Sequence, residues 1–423
     1  MENAPVISWL TQYLKDPLRR NSFFLIVANI VMALFGFLFW MVAARLADSD
    51  KEIGLATALV SAIVLLTTFS RLGVDIGLIR FLPNEGNKQS IINTSLTIVG
   101  LFSILVALIF VLGLRVWSPA LLFVRENILY LLLFALFTGA ASLMTLLQQG
   151  VFVALRTTKF SFIMQAVAGL RLLLLVFLAS FGAFAIFSSW GIALCVAFMV
   201  GIILIRRLEP KYRPLPGVNK KIVNDMLHFS LGNYIAESFK ELPGCLLPLL
   251  VVNILNPEMG AYFYIAWTIA GIVFMISYAT NFSLLAEGSY QPEKLRSNVI
   301  QSTKFIFLLL IPIILVIFFF GDLLLSFFGE AYSKEGLKLL WILAFSGIPL
   351  ALNTIYITTK RIQKQVKPII YIYIFIALFT IGVGYVLMRG MGLVGIGVAW
   401  ILSNSIVTLF IGLAMIRRRA KRL

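Results

Sequence analysis

Histidine occurs once and cysteine twice in these 423 residues, and only 13% of the chain is charged. These scarcities exclude a good deal. A single His228 cannot supply a His/Cys metal cluster or an H-E-x-x-H helix. No glycine-rich phosphate loop is present, and no soluble-type catalytic constellation is visible. Cys195 and Cys245 both lie inside apolar runs, so neither a disulfide nor a redox compartment can be argued from them. No cleavable leader is read at the start, because the first apolar run follows Lys15, Arg19 and Arg20 and is too long for a signal-peptide core.

What the chain has is apolar length. Hydrophobic residues make up 61% of it, far above a soluble domain. Twelve runs are long enough to cross a bilayer as helices: 22–44, 54–80, 91–113, 128–154, 161–180, 186–205, 228–252, 260–285, 304–321, 337–358, 369–388 and 392–416. Residues 5–14, with Trp9, Leu10, Tyr13 and Leu14, read as a helix lying at the interface. Basic residues fall mainly on alternate sides of the spans. One set of loops carries only Arg45, Lys51, Arg115, Arg125, Lys334 and Arg389, so the positive-inside rule places both termini in the cytoplasm. The net charge of +17 then serves anionic headgroups through clusters such as Arg206, Arg207, Lys211, Arg213, Lys220 and Lys221, rather than nucleic acid. The expected fold is an all-α polytopic protein of the inner (cytoplasmic) membrane.

The longest polar stretch, 206–227, contains Pro210, Pro214, Pro216 and Gly217 and reads as a cytoplasmic linker between an N-terminal lobe, 1–205, and a C-terminal lobe, 228–423. Faint echoes recur about 204–206 residues apart: Asn84–Asn87 with Glu287–Ser289, Trp190-Gly191-Ile192 with Val394-Gly395-Ile396, and the basic turn Arg156–Lys159 with Lys360–Lys364. Two six-span halves of the same orientation are parallel repeats, a transporter plan that predicts a substrate cavity between them. The external loops are short, the longest being 322–336.

Charge inside the spans marks the candidate site. The run 228–252 contains Glu237, Lys240 and Glu241, whose three charges cost roughly 8–10 kcal/mol on the insertion scale. With Asn233, Gly244 and Pro248 they form one helical face that should avoid lipid. Thr57, Ser61, Thr68, Arg71 and Asp75 make a similar stripe, with Arg71 and Asp75 one turn apart and able to pair. Thr138, Ser142, Thr145, Gln149 and Arg156 make another, and Ser346, Asn353, Tyr356 and Lys360 a third. Arg171 lies beside Ala168 and Gly169. Two readings stay open at this point: structural ion pairs and packing hydroxyls, or a polar cavity. Pro243, Pro248, Pro312 and Pro349 are either gating kinks or tolerated packing features.

The segment Ser70-Arg71-Leu72-Gly73-Val74-Asp75-Ile76-Gly77-Leu78-Ile79-Arg80-Phe81-Leu82-Pro83 resembles the end-of-second-span signature of polysaccharide and O-antigen flippases, members of the multidrug/oligosaccharidyl-lipid/polysaccharide exporter superfamily. The resemblance implies two six-helix lobes around a central cavity that opens alternately inward and outward. It implies translocation of an undecaprenyl-pyrophosphate-linked oligosaccharide to the periplasmic leaflet, membrane lipids and other polysaccharide-assembly proteins as partners, and no catalytic residues, metal or cofactor. By position, Arg71, Arg171 and Lys240 are the cations expected to meet the pyrophosphate or acidic sugars. Asp75, Gln149, Asn233, Asn353 and Tyr356 are expected to line the cavity. Glu237 and Glu241 are candidates for proton or sodium coupling. The runner-up is a cation-coupled multidrug exporter; such members often carry an acidic residue in the first span, and 22–44 has none. Lipid-II flippases of the superfamily usually have two further spans. A membrane glycan polymerase or ligase is the alternative of a different class, and short external loops speak against it.

Overall fold

The computed structural model describes residues 17–84, 87–290 and 292–420; the expected interfacial helix 5–14 lies outside them. Among the described residues fourteen helices carry the architecture: α1 Pro17–Leu46, α2 Asp50–Ser70, α3 Val74–Phe81, α4 Lys88–Leu112, α5 Ile128–Leu146, α6 Lys159–Ala168, α7 Arg171–Leu178, α8 Ala183–Leu208, α9 Lys220–Ile254, α10 Pro257–Tyr290, α11 Leu295–Ser326, α12 Glu330–Ile362, α13 Val366–Met391 and α14 Leu393–Ala420. Single turns occupy several of the gaps, and no strand occurs among the described residues. Among the described residues ten stretches are long and apolar enough to span a membrane, and Ile30–Leu46 is a shorter apolar one. The remaining expected span, 228–252, lies within α9, a 35-residue helix that keeps Pro243 and Pro248 inside it. The chain is a multi-pass membrane protein. Lipid-facing character varies along it: the apolar window of α11 is 28% buried, whereas that of α2 is 83% buried.

The chain forms two compact units, Met1–Asp48 with Ile63–Tyr234, and Ser49–Ala62 with Ile235–Leu423. In the first, α4 packs on α5, α5 on α8, and α6 and α7 on α1 and α8. Stacked rings of Phe110, Phe134 and Phe187 fill its interior. Gly191 admits the Phe137 ring, which a Cβ there would meet at 2.2 Å. In the second unit α10, α11 and α12 pack together, and α14 packs on α12 and α13. Ala236, Ile357, Ile369 and Tyr373 close its core where α9, α12 and α13 meet. The amino-terminal part of α2 belongs to this unit, and Gly54 approaches Pro257 so closely that a Cβ would stand 1.6 Å from its carbonyl oxygen.

Each unit carries the same two backbone devices. After Ala154 the chain turns through Arg156 at φ 54°, and after Ile362 through Lys364 at φ 57°. Both are Schellman caps: Thr157 N donates to Phe152 O at 2.8 Å and Gln365 N to Lys360 O at 2.9 Å. The helices α8 and α14 each follow a positive-φ glycine, Gly182 at 87° and Gly392 at 57°. These glycines correct the expected register of one echo. Gly191 lies well inside α8 whereas Gly395 is in the first turn of α14, so the two are not equivalent.

Two loop expectations change. The expected external loop 322–336 is almost entirely helical, because α11 runs to Ser326 and α12 starts at Glu330. Its polar residues sit on helix ends, where hydropathy cannot tell them from loop; Ser333 donates to Asp322 across the short turn. The polar stretch 206–227 contains only 209–219 as non-helical chain, and that segment is pinned to α4. Tyr212 Oη donates to Asn93 Oδ1 at 2.8 Å, Asn93 Nδ2 to Arg213 O at 2.9 Å, and the Gly217 and Asn219 amides to Thr97 and Thr94 at 3.1 Å each. Burial pushes the Tyr212 phenol up to about 12, against the opposing pull of Arg206.

Candidate functional site

In the first unit the site is built at a broken helix. The sequence predicts one helix over 54–80, but α2 stops at Ser70 and α3 starts at Val74. Leu72 at φ 52° and Gly73 at φ 74° make the break. Gly73 is required there both for its conformation and because a Cβ would stand 2.9 Å from that of Ser230. Arg71 therefore sits just past the end of a 21-residue apolar helix rather than in mid-span. It still reaches Asp75: Nη1 lies 2.6 Å from Asp75 Oδ2 and donates to Gln149 Oε1 at 2.8 Å. Gln149 is presented by a π-helical turn, Leu147–Val151. The turn fits because Gly150 lies against the backbone of Asp75, where a Cβ would meet Asp75 Cα at 3.2 Å. The Ile76 amide donates to Asp75 Oδ1 at 3.0 Å, so the carboxylate is held from both sides. Arg71 Nε is buried without a hydrogen-bond partner.

Arg171 belongs to a different place. Buried at the start of α7, its Nη2 donates to Met32 O at 3.4 Å, and its guanidinium stands 5.7 Å from the Phe39 ring centroid. It rests on α1, while Arg71, Asp75 and Gln149 form their own cluster. Most hydroxyls of the stripes bond locally. Thr57, Thr68, Thr138, Ser142 and Thr145 each donate to a carbonyl three or four residues back on their own helix.

In the second unit four charges form a chain. Lys240 Nζ lies 3.0 Å from Glu237 Oε2 and 3.1 Å from Glu241 Oε1, and Arg361 Nη2 lies 2.6 Å from Glu237 Oε1. Tyr278 offers its ring to the Lys240 ammonium at 5.2 Å. The side chains are partly open: Lys240 is 24% exposed, Glu237 35%, Arg361 36% and Glu241 46%. Asn233 is exposed, on the part of α9 that belongs to the first unit. Asn353 is buried and committed: its Nδ2 donates to Asn404 O at 2.9 Å, and its Oδ1 accepts from Thr408 at 2.9 Å. Tyr356 lines a cavity of about 610 Å³ with Arg296, Thr359, Thr408 and Leu352. Lys360 Nζ stands over its ring at 5.4 Å.

Arg361 is the member of this cluster that the sequence does not point to. At the basic end of an apolar helix it looks like an inner-face anchor, and the only hint of another role is its adjacency to Lys360 on the polar stripe. Asn404 and Thr408 were missed because a lone Asn in an apolar run shows no partner. Among the described residues no group of three or more His, Cys, Asp and Glu is placed to hold a metal ion.

Comparison with known proteins gives these observations a frame. No curated protein sequence matches the chain. Solved structures share its fold at low identity. The lipid II flippase MurJ, in an inward closed conformation, superposes with TM-score 0.76 at 12% identity over 93% of this chain and 87% of that one. An inward-facing multidrug resistance MATE family transporter of the MOP superfamily gives 0.68 at 15%, over 94% and 98%. A MOP superfamily transporter from Pyrococcus furiosus gives 0.65 at 15%, over 96% of each. The MatE family profile matches residues 249–386. The polysaccharide biosynthesis protein profile matches residues 18–242, more than half of the sequence and all of the Arg71 cluster, and the chain belongs to that family.

Proposed function

We propose that the protein is a flippase of the cytoplasmic membrane, with both termini cytoplasmic, that carries an undecaprenyl-pyrophosphate-linked oligosaccharide to the periplasmic leaflet by alternating access. The observation that carries this reading is the family match across 18–242, which contains a cation held in place at a helix break. A substrate of this class has an anionic headgroup that must leave water, and cations on rigid elements lower that cost. Arg71 is fixed by Asp75 and Gln149, and Lys240 by two carboxylates, so neither side chain has to be ordered when the headgroup arrives. Coupling to a proton or sodium ion is assigned to Glu237 and Glu241, whose ion pairs with Lys240 would have to open to take up the cation.

The MatE match over 249–386 supports a second reading, a cation-coupled multidrug exporter. The absence of acidic residues in 22–44 weighs against it. Deleting the gene and assaying the leaflet that holds the lipid-linked repeat unit tests the first reading. Accumulation on the cytoplasmic side supports the flippase. Accumulation on the periplasmic side, or heightened drug sensitivity with normal glycan export, overturns it.

A further inference from the structure

Glu237 is the only anion in the second unit's cluster that touches two cations, and it does so with separate oxygens: Oε2 on Lys240 at 3.0 Å and Oε1 on Arg361 at 2.6 Å. A bridging dianion such as a diphosphate would hold the same two donors in the same way. We propose that Arg361 is a second binding residue for the substrate's diphosphate, and that Glu237 is an internal stand-in for that group, displaced from Lys240 and Arg361 when the headgroup binds. The proposal rests on the flippase reading above.

Three features carry it. The first is access. Glu237 and Arg361 are each about a third exposed, against 15% and 12% for the Arg71–Asp75 pair, so the bridging position is open to a ligand. The second is charge. Lys240 and Arg361 are balanced by Glu237 and Glu241, and the cluster is neutral as it stands. A diphosphate brings more negative charge to the bridging position than one carboxylate does, and the Arg361 fork suits phosphate oxygens better than a point charge would. The third is the survival of the site after exchange. Glu241 keeps a 3.1 Å contact with Lys240, and Tyr278 keeps its ring beneath the ammonium, so Lys240 stays in position when Glu237 swings away. A resident competitor also serves release. A carrier must bind strongly enough to load and weakly enough to unload, and Glu237 returning to its two cations expels the headgroup.

The test uses the full-length protein in lipid nanodiscs, with farnesyl diphosphate and farnesol as probes. Removing the competitor should tighten binding: Glu237→Gln is expected to bind farnesyl diphosphate about tenfold more tightly than the parent, a change of about 1.4 kcal/mol, with farnesol unchanged. Glu241→Gln, which frees no bridging position, should shift affinity far less. Arg361→Ala should weaken binding, with Arg361→Lys recovering part of it. Thermal unfolding in each preparation reports whether the variant is folded. If Glu237→Gln does not fold, Glu237→Asp, too short to reach both cations, should tighten binding in its place. Unchanged or weaker diphosphate binding in a folded Glu237 variant overturns the proposal, as does equal tightening in Glu241→Gln. The two readings fail separately. A parent that flips lipid-linked oligosaccharide without tightening in Glu237→Gln loses only the stand-in, and tightening without any flipping loses only the flippase.

Discussion

Arg71 and Lys240 are both cations in apolar surroundings, yet the two units hold them differently. Arg71 is nearly sealed, has one carboxylate and one amide for partners, and depends on a helix break and a π-helical turn that interlock through Gly150. Lys240 is on an unbroken helix, shares two carboxylates with a second cation from α12, and is partly open. A sealed pair derives its position from backbone geometry and loses much when one partner is removed. An open chain of four charges can exchange partners at little cost.

Removing Arg71 is the harshest way to break the comparison. Arg71→Ala leaves the Asp75 carboxylate buried without its cation, at an expected cost of about 3–5 kcal/mol. The joint change Arg71→Met with Asp75→Leu should recover most of that stability, because no buried charge remains, while transport stays low. Thermal unfolding of purified protein with a flipping assay reads both quantities. Normal transport in the stable double variant would show that the pair is only structural.

The helix break gives a smaller contrast. Gly73→Ala must place a Cβ at φ 74° and 2.9 Å from that of Ser230, so a loss of about 1–3 kcal/mol is expected. Gly244→Ala on the continuous α9 would meet Trp267 at an ordinary 3.6 Å, and higher helix propensity should make it neutral or stabilising by up to about 1 kcal/mol. Equal costs for the two would mean that the break is not what positions Arg71. Lys240→Ala should lie lower on the stability scale. Glu237 retains Arg361, and a partly exposed pair is worth about 0–1 kcal/mol. Its effect should appear in flipping rate and not in the unfolding midpoint.

These differences explain what could be read in the sequence. The spans were legible because a bilayer allows long apolar runs only one conformation. The Arg71–Asp75 pair was legible from its four-residue spacing, though the helix that justified the spacing is interrupted. The break was not legible, because Leu72 in a left-handed conformation is a choice that only tertiary packing enforces. Arg361 was hidden for a related reason: composition alone makes it an inner-face anchor, and its partner Glu237 lies 124 positions away in sequence. The loop 322–336 looked polar and proved helical, since polar ends of long helices and short loops have the same composition.

The smallest effects concern a feature that the units share. Arg156 and Lys364 occupy the left-handed position of matching Schellman caps, where glycine is the residue without a steric penalty. A left-handed non-glycine residue costs about 1–2 kcal/mol. The attraction of a basic side chain to a helix C-terminus returns about 0.3–1 kcal/mol, and both side chains are exposed and screened. Arg156→Gly and Lys364→Gly should therefore each stabilise the protein by about 0.5–1 kcal/mol, by similar amounts in the two units. Unfolding midpoints of the single and double variants measure this, and the two gains should add, since the caps share no partner among the described bonds. A gain in one unit with a loss in the other would mean that one basic turn has a role beyond its cap, and the shared backbone device would no longer imply a shared function.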